Sequence, residues 1–212
     1  MQLEKNPKTR QLVRHLLELE DRVSGLPFSK MKRVRQVDKD SCGPAVLASL
    51  YSYFSVKVSQ RGIVASLRAQ NKIKEFGLSL RDLARASKII GKGNFSFWRK
   101  SDGKISDLDL IINKYKSPVA VEWQGVFYED EDEDNGHYCI ITKVDKKAGT
   151  LRLSDPYFDF AGVDRKFKIS EFKSRWWDEN IIHGRNLIDN KVMFLITPNG
   201  ETWPKRLDMV KK

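Results

Sequence analysis

Between Gly43 and Phe54 the apolar residues Val46, Leu47, Leu50, Tyr51 and Phe54 recur at spacings of three and four, the pattern of a helix with one buried face. What precedes this run fixes how the helix begins. Gln36-Val37-Asp38-Lys39-Asp40-Ser41-Cys42-Gly43-Pro44-Ala45 leads straight into it, with Ser41 suited to the cap position and Pro44 to the first turn, where a missing backbone N–H costs nothing. Cys42 then stands at the positive end of the helix dipole, which favours the reactive thiolate over the thiol. Gln36, six residues upstream, is placed to swing its amide back beside the sulfur. With the Cys42 backbone N–H it would make a two-donor oxyanion hole. A cysteine at the start of a core helix also serves simply as packing, so the rest of the chain has to decide.

A thiolate nucleophile needs a base, and the chain has three histidines. His15 falls in a segment rich in leucine and charge and reads as part of a solvated helix face. His183, in Asn180-Ile181-Ile182-His183-Gly184-Arg185, reads as a polar loop residue. His137 differs: it opens the β-prone run His137-Tyr138-Cys139-Ile140-Ile141-Thr142-Lys143-Val144, entered through Asn135-Gly136.

The run Thr150-Leu151-Arg152-Leu153-Ser154-Asp155-Pro156-Tyr157 follows after Lys146-Lys147-Ala148-Gly149, which reads as a turn, so the two strands form an antiparallel hairpin. If Val144 pairs with Thr150, Asp155 lies opposite Cys139, on the face of His137 and diagonal to it. Diagonal neighbours are about 7–8 Å apart, within reach of an Asp–His hydrogen bond. A slip of one residue turns Asp155 to the other face. As a turn former before Pro156 the aspartate has a second reason to be there. Cys139 shares the face of His137, where a disulfide to Cys42 or a Cys/His metal site stands beside ordinary packing. The close ligand spacing of structural zinc sites is absent, so packing is the expectation.

These residues resemble the papain-like cysteine peptidases of the C39 type, the bacteriocin-processing or double-glycine leader peptidases and their stand-alone relatives. The resemblance is carried by Gln36 with five residues before Cys42-Gly43-Pro44-Ala45, then Gly136-His137-Tyr138, then Asp155-Pro156-Tyr157, in the family's order. Gly77-Leu78-Ser79-Leu80-Arg81-Asp82-Leu83, the strand Ser117 to Trp123, and Glu171-Phe172 with Trp176-Trp177 support it, so that it covers roughly residues 34 to 198. It implies a papain-like fold with Cys42 as nucleophile, His137 as general base and then acid, Asp155 orienting the imidazolium and Gln36 holding the oxyanion. The implied reaction is peptide-bond hydrolysis on a peptide or protein substrate, with no cofactor and no metal. Same-fold acyl transfer or transpeptidation, and an idle peptide-binding domain, are the alternatives within the fold.

The resemblance leaves two parts of the chain aside. Residues 1–32 form an N-terminal extension, in which Leu12, Val13, Leu16, Leu17, Leu19 and Val23 predict an amphipathic helix over 9–24. It packs on the core, occludes the cleft as a pro-segment would, or docks a partner, and packing is the expectation. The acidic run Glu129 to Asp134 stands directly before Asn135-Gly136-His137. A solvated loop is the expectation there, against attraction of basic substrate segments, stabilisation of the imidazolium or cation binding.

Organisation is otherwise simple. Helices are predicted over Gly77 to Ile90 and Ser106 to Tyr115, and strands over Pro118 to Trp123 and Lys191 to Thr197. Helices first and an antiparallel sheet second make an α+β domain over 33–200, the nucleophile helix packed on the sheet, with a basic tail over 201–212. At 212 residues and 40% hydrophobic the chain buries a core without staples. No apolar run spans a membrane and the first residues lack the apolar core of a secretion signal. Two cysteines give no disulfide framework, which favours a reducing, cytoplasmic setting. The net charge of +11 admits a nucleic-acid-binding rival. The basic residues are scattered and no nucleic-acid motif accompanies them, so solvated surface charge is the expectation. Oligomeric state is not legible.

Overall fold

The computed structural model describes residues 7–127, 136–182 and 185–212. The first half is helical: α1 (Pro7–Ser24), α2 (Cys42–Tyr53), α3 (Gln60–Ser66), α4 (Gln70–Phe76) and α5 (Leu80–Gly91). β1 (Phe95–Lys100) and α6 (Ile105–Asp109), the latter prolonged by a π-helical turn to Lys114, lead to β2 (Val119–Gln124), β3 (Gly136–Asp145), β4 (Thr150–Ser154) and β5 (Asp164–Lys168). After α7 (Ile169–Arg175), β6 (Trp177–Ile182) and β7 (Arg185–Asn190) pair with each other alone, and β8 (Met193–Pro198) and β9 (Val210–Lys211) return to the main sheet. That sheet has the order β5-β4-β3-β2-β8-β1-β9 with every pairing antiparallel, so the α+β expectation holds.

The sheet is buried on both faces, which is why its central strands read as continuous apolar runs. Phe97, Ala120, Tyr138, Ile140, Phe194 and Ile196 pack with α2, α3 and α5. Their neighbours Trp98, Val121, Cys139, Ile141 and Leu195 pack with Leu108, Phe172 and Trp176 on the other side. Alternation of side chains across a strand sends one set to each layer.

Helix α2 is the centre of the first layer. The apolar spacing predicts one buried face, yet every residue from Gly43 to Tyr51 is buried. The helix lies against β3 and β8 on one side and α3 and α5 on others. The incoming segment covers what is left, its Lys32 and Val34 amides donating to Ser52 Oγ and Ser49 Oγ. At the start of α2 the backbone comes down close on β3. A Cβ at Gly43 would meet Leu83 Cδ2 at 3.3 Å and Tyr138 Cδ2 at 3.4 Å.

Helix α5 begins three residues later than expected. Gly77 has φ +64, outside helical space, and Ser79 caps α5 reciprocally, its Oγ accepting from Asp82 N while Asp82 Oδ2 accepts from Ser79 N. The short helices α3 and α4 and the strands β1, β5, β6, β7 and β9 go beyond the sequence expectations.

Helix α1 turns only part of its apolar pattern inward: Val13 and Leu17 are half-buried. Asp21 is its buried residue and accepts from Arg152 Nη1 and from the Asp164 amide, both at 2.6 Å. Glu20 also takes Arg152, at 2.6 Å, and Arg14 donates to the carbonyls of Asp159 and Ala161. Leu12, Leu16, Leu19 and Val23 point to solvent. A buried ionic anchor thus shares the inward side with Val13 and Leu17 and leaves the other apolar residues outward. Among the described residues no helix is long and apolar enough to cross a membrane.

Candidate active site

Cys42 is the first residue of α2 and is half-buried. Ser41 occupies the cap position, but with φ −96 and ψ 17 it is too close to helical to turn its hydroxyl onto the first-turn amides. Its Oγ donates to Asp38 Oδ1 instead. The expected side-chain cap is therefore absent, and the N-terminal amides of α2 keep their positive end directed at whatever lies beyond Cys42.

His137 is the second residue of β3, across from Trp123 of β2, and is only 4% exposed. Asp155 follows β4 and is fully buried. The register that brings them together differs from the expected one at the turn. Asp145 pairs with Thr150 and Val144 with Leu151, one residue away from the expected pairing. Continued unbroken, this register would turn Asp155 to the opposite face from His137. A β-bulge at Thr142 takes up one residue, so that Ile141 pairs with Leu153 and Ile140 with Ser154. The next step sets Cys139 opposite Asp155, on the face of His137. Thr142 is held by its hydroxyl, which donates to Asp164 Oδ2 at 2.7 Å on β5.

Asp155 is saturated with donors. Oδ1 accepts from His137 Nε2 at 2.9 Å and from the Tyr157 amide at 2.9 Å, and Oδ2 accepts from Arg165 Nη1 at 2.7 Å. Burial pushes its carboxyl up, but the His137 imidazolium, its hydrogen bond, the Arg165 guanidinium and the Tyr157 amide outweigh burial and hold it well below the usual carboxylate range. An ionised carboxylate only accepts, so His137 Nε2 carries a hydrogen and Nδ1 is the ring atom left for chemistry.

Burial pushes His137 down, while the Cys139 sulfur, the Asp155 carboxylate and the Cys42 sulfur push it up and prevail, leaving it well above the ordinary histidine value. Burial and the Asp155 charge hold the Cys139 thiol itself up at about 11, against the His137 charge and the hydrogen bonds from His137 and Trp123. Phe127 closes one side of the imidazole edge to face, ring centroids 5.1 Å apart. Gly125 permits this fold-back, since a Cβ there would lie 2.5 Å from Phe127 Cζ.

Arg165 is the functional candidate that the sequence reading missed. It lies on β5, buried, and besides Asp155 it donates to the Val126 carbonyl at 2.8 Å, with its guanidinium 3.6 Å from the Phe160 ring centroid. The available signal is the alternation in Asp164-Arg165-Lys166-Phe167-Lys168, where Arg165 and Phe167 point inward and Lys166 and Lys168 outward. An arginine on an inward face calls for a buried acid.

Gln36 lies next to these residues, its backbone amide donating to the Pro156 carbonyl at 2.9 Å. Its side chain is buried and turned onto its own loop, Nε2 donating to the carbonyls of Asp38 at 2.9 Å and Lys39 at 3.2 Å, while Oε1 has no partner. Both amide hydrogens are thus engaged in this arrangement.

The donor atoms of His137, Cys139 and Asp155 lie within 4.8 Å of one another. The set suits a metal poorly, because Asp155 and His137 are spent on each other and the Arg165 cation sits on the same carboxylate. Cys139 is packed, its sulfur accepting from Trp123 Nε1 at 3.3 Å. Of the remaining candidates, His15 lies exposed on α1, and the acidic run 129–134 and His183 fall outside the described residues.

The sequence profile described as the peptidase C39 family matches residues 30–185. By structure the chain is similar to the peptidase domain of Streptococcus ComA, a bifunctional ABC transporter involved in a quorum-sensing pathway. The TM-score is 0.54 at 18% identity, over 78% of this chain and 97% of that one. A double-glycine motif protease from an AMS/PCAT transporter, solved with its leader peptide, aligns with TM-score 0.49 at 15% identity over 82% of this chain and 99% of that one. No curated protein matches the chain in sequence.

Proposed function

The chain belongs to the peptidase C39 family, a cysteine-type peptidase family, and from that premise we propose that Cys42, His137 and Asp155 hydrolyse peptide bonds in a peptide or protein substrate. The observation that carries this reading is the buried chain from Arg165 through Asp155 to His137, on the strand that packs against the start of the Cys42 helix.

In the resting site a proton on His137 Nδ1 balances a Cys42 thiolate, and the negative charge of Asp155 stabilises the imidazolium from the far side of the ring. Sγ attacks the scissile carbonyl carbon, and the carbonyl oxygen becomes an oxyanion. The Cys42 backbone N–H, which no helical carbonyl accepts, is one donor to it. Gln36 is the second once its amide turns from the Asp38 and Lys39 carbonyls. The intermediate collapses as Nδ1 gives its proton to the leaving nitrogen, the C–N bond breaks and a thioester remains. Nδ1 then takes a proton from water, the hydroxide attacks the thioester, and release of the acid restores the thiolate–imidazolium pair.

A cysteine-directed substrate analogue tests the assignment by mass spectrometry of the labelled protein. Labelling is expected at Cys42 and is expected to vanish in Cys42→Ala and His137→Ala, with turnover lost in both. Unchanged turnover in either variant refutes it. Profiling of protein N-termini separates the acceptors: new termini mean water, and a modified Cys42 without new termini means an amine, as in transpeptidation.

A further inference from the structure

We propose that Arg33 and Asp164 are positioning residues of this site, setting through the Thr142 bulge the side of the sheet on which Asp155 meets His137. The inference rests on the peptidase reading for what Asp155 does, and on the strand register alone for where it stands. β3 and β4 pair Lys143 with Arg152 and then Ile141 with Leu153, leaving Thr142 over. A ladder continued without that extra residue would set Thr142 opposite Leu153, Ile141 opposite Ser154 and Ile140 opposite Asp155. The aspartate would then face away from His137. The regular ladder also regains the backbone pairing that a bulge forfeits, so Thr142 has to be held out of it.

The hold on Thr142 runs back to Arg33. The Thr142 side chain is buried, and its hydroxyl donates to Asp164 Oδ2 at 2.7 Å. Asp164 is gripped by a fork: Arg33 Nε donates to Oδ1 and Nη2 to Oδ2, both at 2.9 Å, with the two side chains 5% and 0% exposed. A planar fork fixes the plane of the carboxylate and so the direction in which Oδ2 meets Thr142, which a lysine's point charge would not do. The fork is itself fixed. The other three N–H hydrogens of the guanidinium go to the carbonyls of Pro27 at 2.6 Å, Met31 at 3.1 Å and Phe28 at 3.4 Å, so all five donors have acceptors.

Two further contacts tie this pair to the site and set it apart from an ordinary core ion pair. Asp164 and Arg165 are consecutive on β5, so the strand that holds the bulge with one residue holds Asp155 with the next. Arg33 also stands three residues before Gln36, whose amide donates to the Pro156 carbonyl next to Asp155. The segment that enters the Cys42 helix is thereby stapled at Asp164 and again at Pro156, which brings the nucleophile half of the site into line with the His137–Asp155 half. The support reaches further upstream, since the Asp164 amide donates to Asp21 Oδ2 on α1. Asp21, Pro27 and Phe28 all precede the residues that the family profile matches, so the N-terminal extension is part of what positions Asp155.

An NMR titration of the His137 ring in the folded full chain tests this, with the thermal midpoint recorded alongside. Thr142→Val keeps the shape and removes the hydroxyl. The His137 midpoint is expected to fall by about half a pH unit or more, in the direction of Asp155→Asn, because the carboxylate spends less time against the ring. Thr142→Ser keeps the hydroxyl and is expected to keep the wild-type midpoint. Arg33→Lys keeps the charge without the fork, and its His137 midpoint is expected to fall as well. A merely structural pair would lower the thermal midpoint and leave His137 where it is; that result in either Thr142→Val or Arg33→Lys overturns the proposal. So does a Thr142→Ser midpoint that falls as far as that of Thr142→Val, since the hydroxyl would then not hold the bulge. An Asp155→Asn variant whose His137 midpoint does not move would instead sink the pairing of Asp155 with His137, and with it the reading on which this inference rests.

Discussion

Arg165 Nη1 donates to Asp155 Oδ2 at 2.7 Å, and both side chains are withdrawn from solvent, at 9% and 0% exposure. The guanidinium therefore holds the carboxylate at the one oxygen that His137 does not use. Since Arg165 also binds the Val126 carbonyl, it ties Asp155 to the segment that carries Phe127 over the imidazole.

Removing this cation should be expensive. Arg165→Leu leaves a buried carboxylate short of its partner, and a loss of about 3–5 kcal/mol is expected in urea unfolding. Arg165→Lys keeps the charge but not the fork, and should fall between the two. In a cycle with Asp155→Asn the Arg165→Leu loss should shrink by more than about 1 kcal/mol; additive losses would mean that the pair is not coupled.

The pH dependence follows from the two shifts. The folded value of His137 is raised, so its stabilising contribution is complete below the unfolded value of about 6.5 and fades as pH rises through the folded one. The folded value of Asp155 is lowered, so its contribution is complete above about 3.9 and fades as pH falls through the folded one. The pair should stabilise most between about pH 4 and 6.5. In Asp155→Asn the negative charge that raises His137 is gone, and the alkaline limb of kcat/KM should move to lower pH. An NMR titration of the His137 ring checks the direction; an unmoved midpoint would remove Asp155 from its role.

Gln36 separates a catalytic amide from a loop staple. As an oxyanion donor its loss in Gln36→Ala should lower kcat by about 10²–10³-fold. If it only ties the Asp38 and Lys39 carbonyls, the thermal midpoint should fall while kcat holds. Measuring both on one preparation decides between them.

Cys139 should be dispensable to the chemistry. Cys139→Ser is expected to keep most of the turnover with a modest loss of stability, because a hydroxyl can take over the hydrogen bonds that the sulfur makes with Trp123 and His137. Turnover should also survive strong chelators. Loss of activity on chelation, restored by a divalent cation, would instead make His137, Cys139 and Asp155 ligands.

The helix that starts at Cys42 and the strand that starts at His137 were legible because strong periodicity and a turn bracket each of them. Strand β5 was not, since four of its five residues are charged and their burial depends on partners distant in sequence: Asp21, Arg33 and Thr142 for Asp164, and Asp155 for Arg165. The same distance hides how α1 is turned, where apolar spacing points all the leucines inward and ion pairs to Arg152 leave Leu12, Leu16 and Leu19 outside. Ser41 was legible as a cap by type but not by dihedral, and its hydroxyl went to Asp38.

The expected hairpin register was off by one at the turn, yet Asp155 still arrives on the face of His137, because Thr142 bulges. The site thus depends on parity: the count of residues between His137 and Asp155, less those a bulge absorbs, must keep both side chains on the same side. A single insertion or deletion within the paired strands between His137 and Asp155 turns the aspartate to the other face unless a bulge is gained or lost with it. Thr142 is thus the parity bit of the site, the residue whose bulge returns Asp155 to the side of His137.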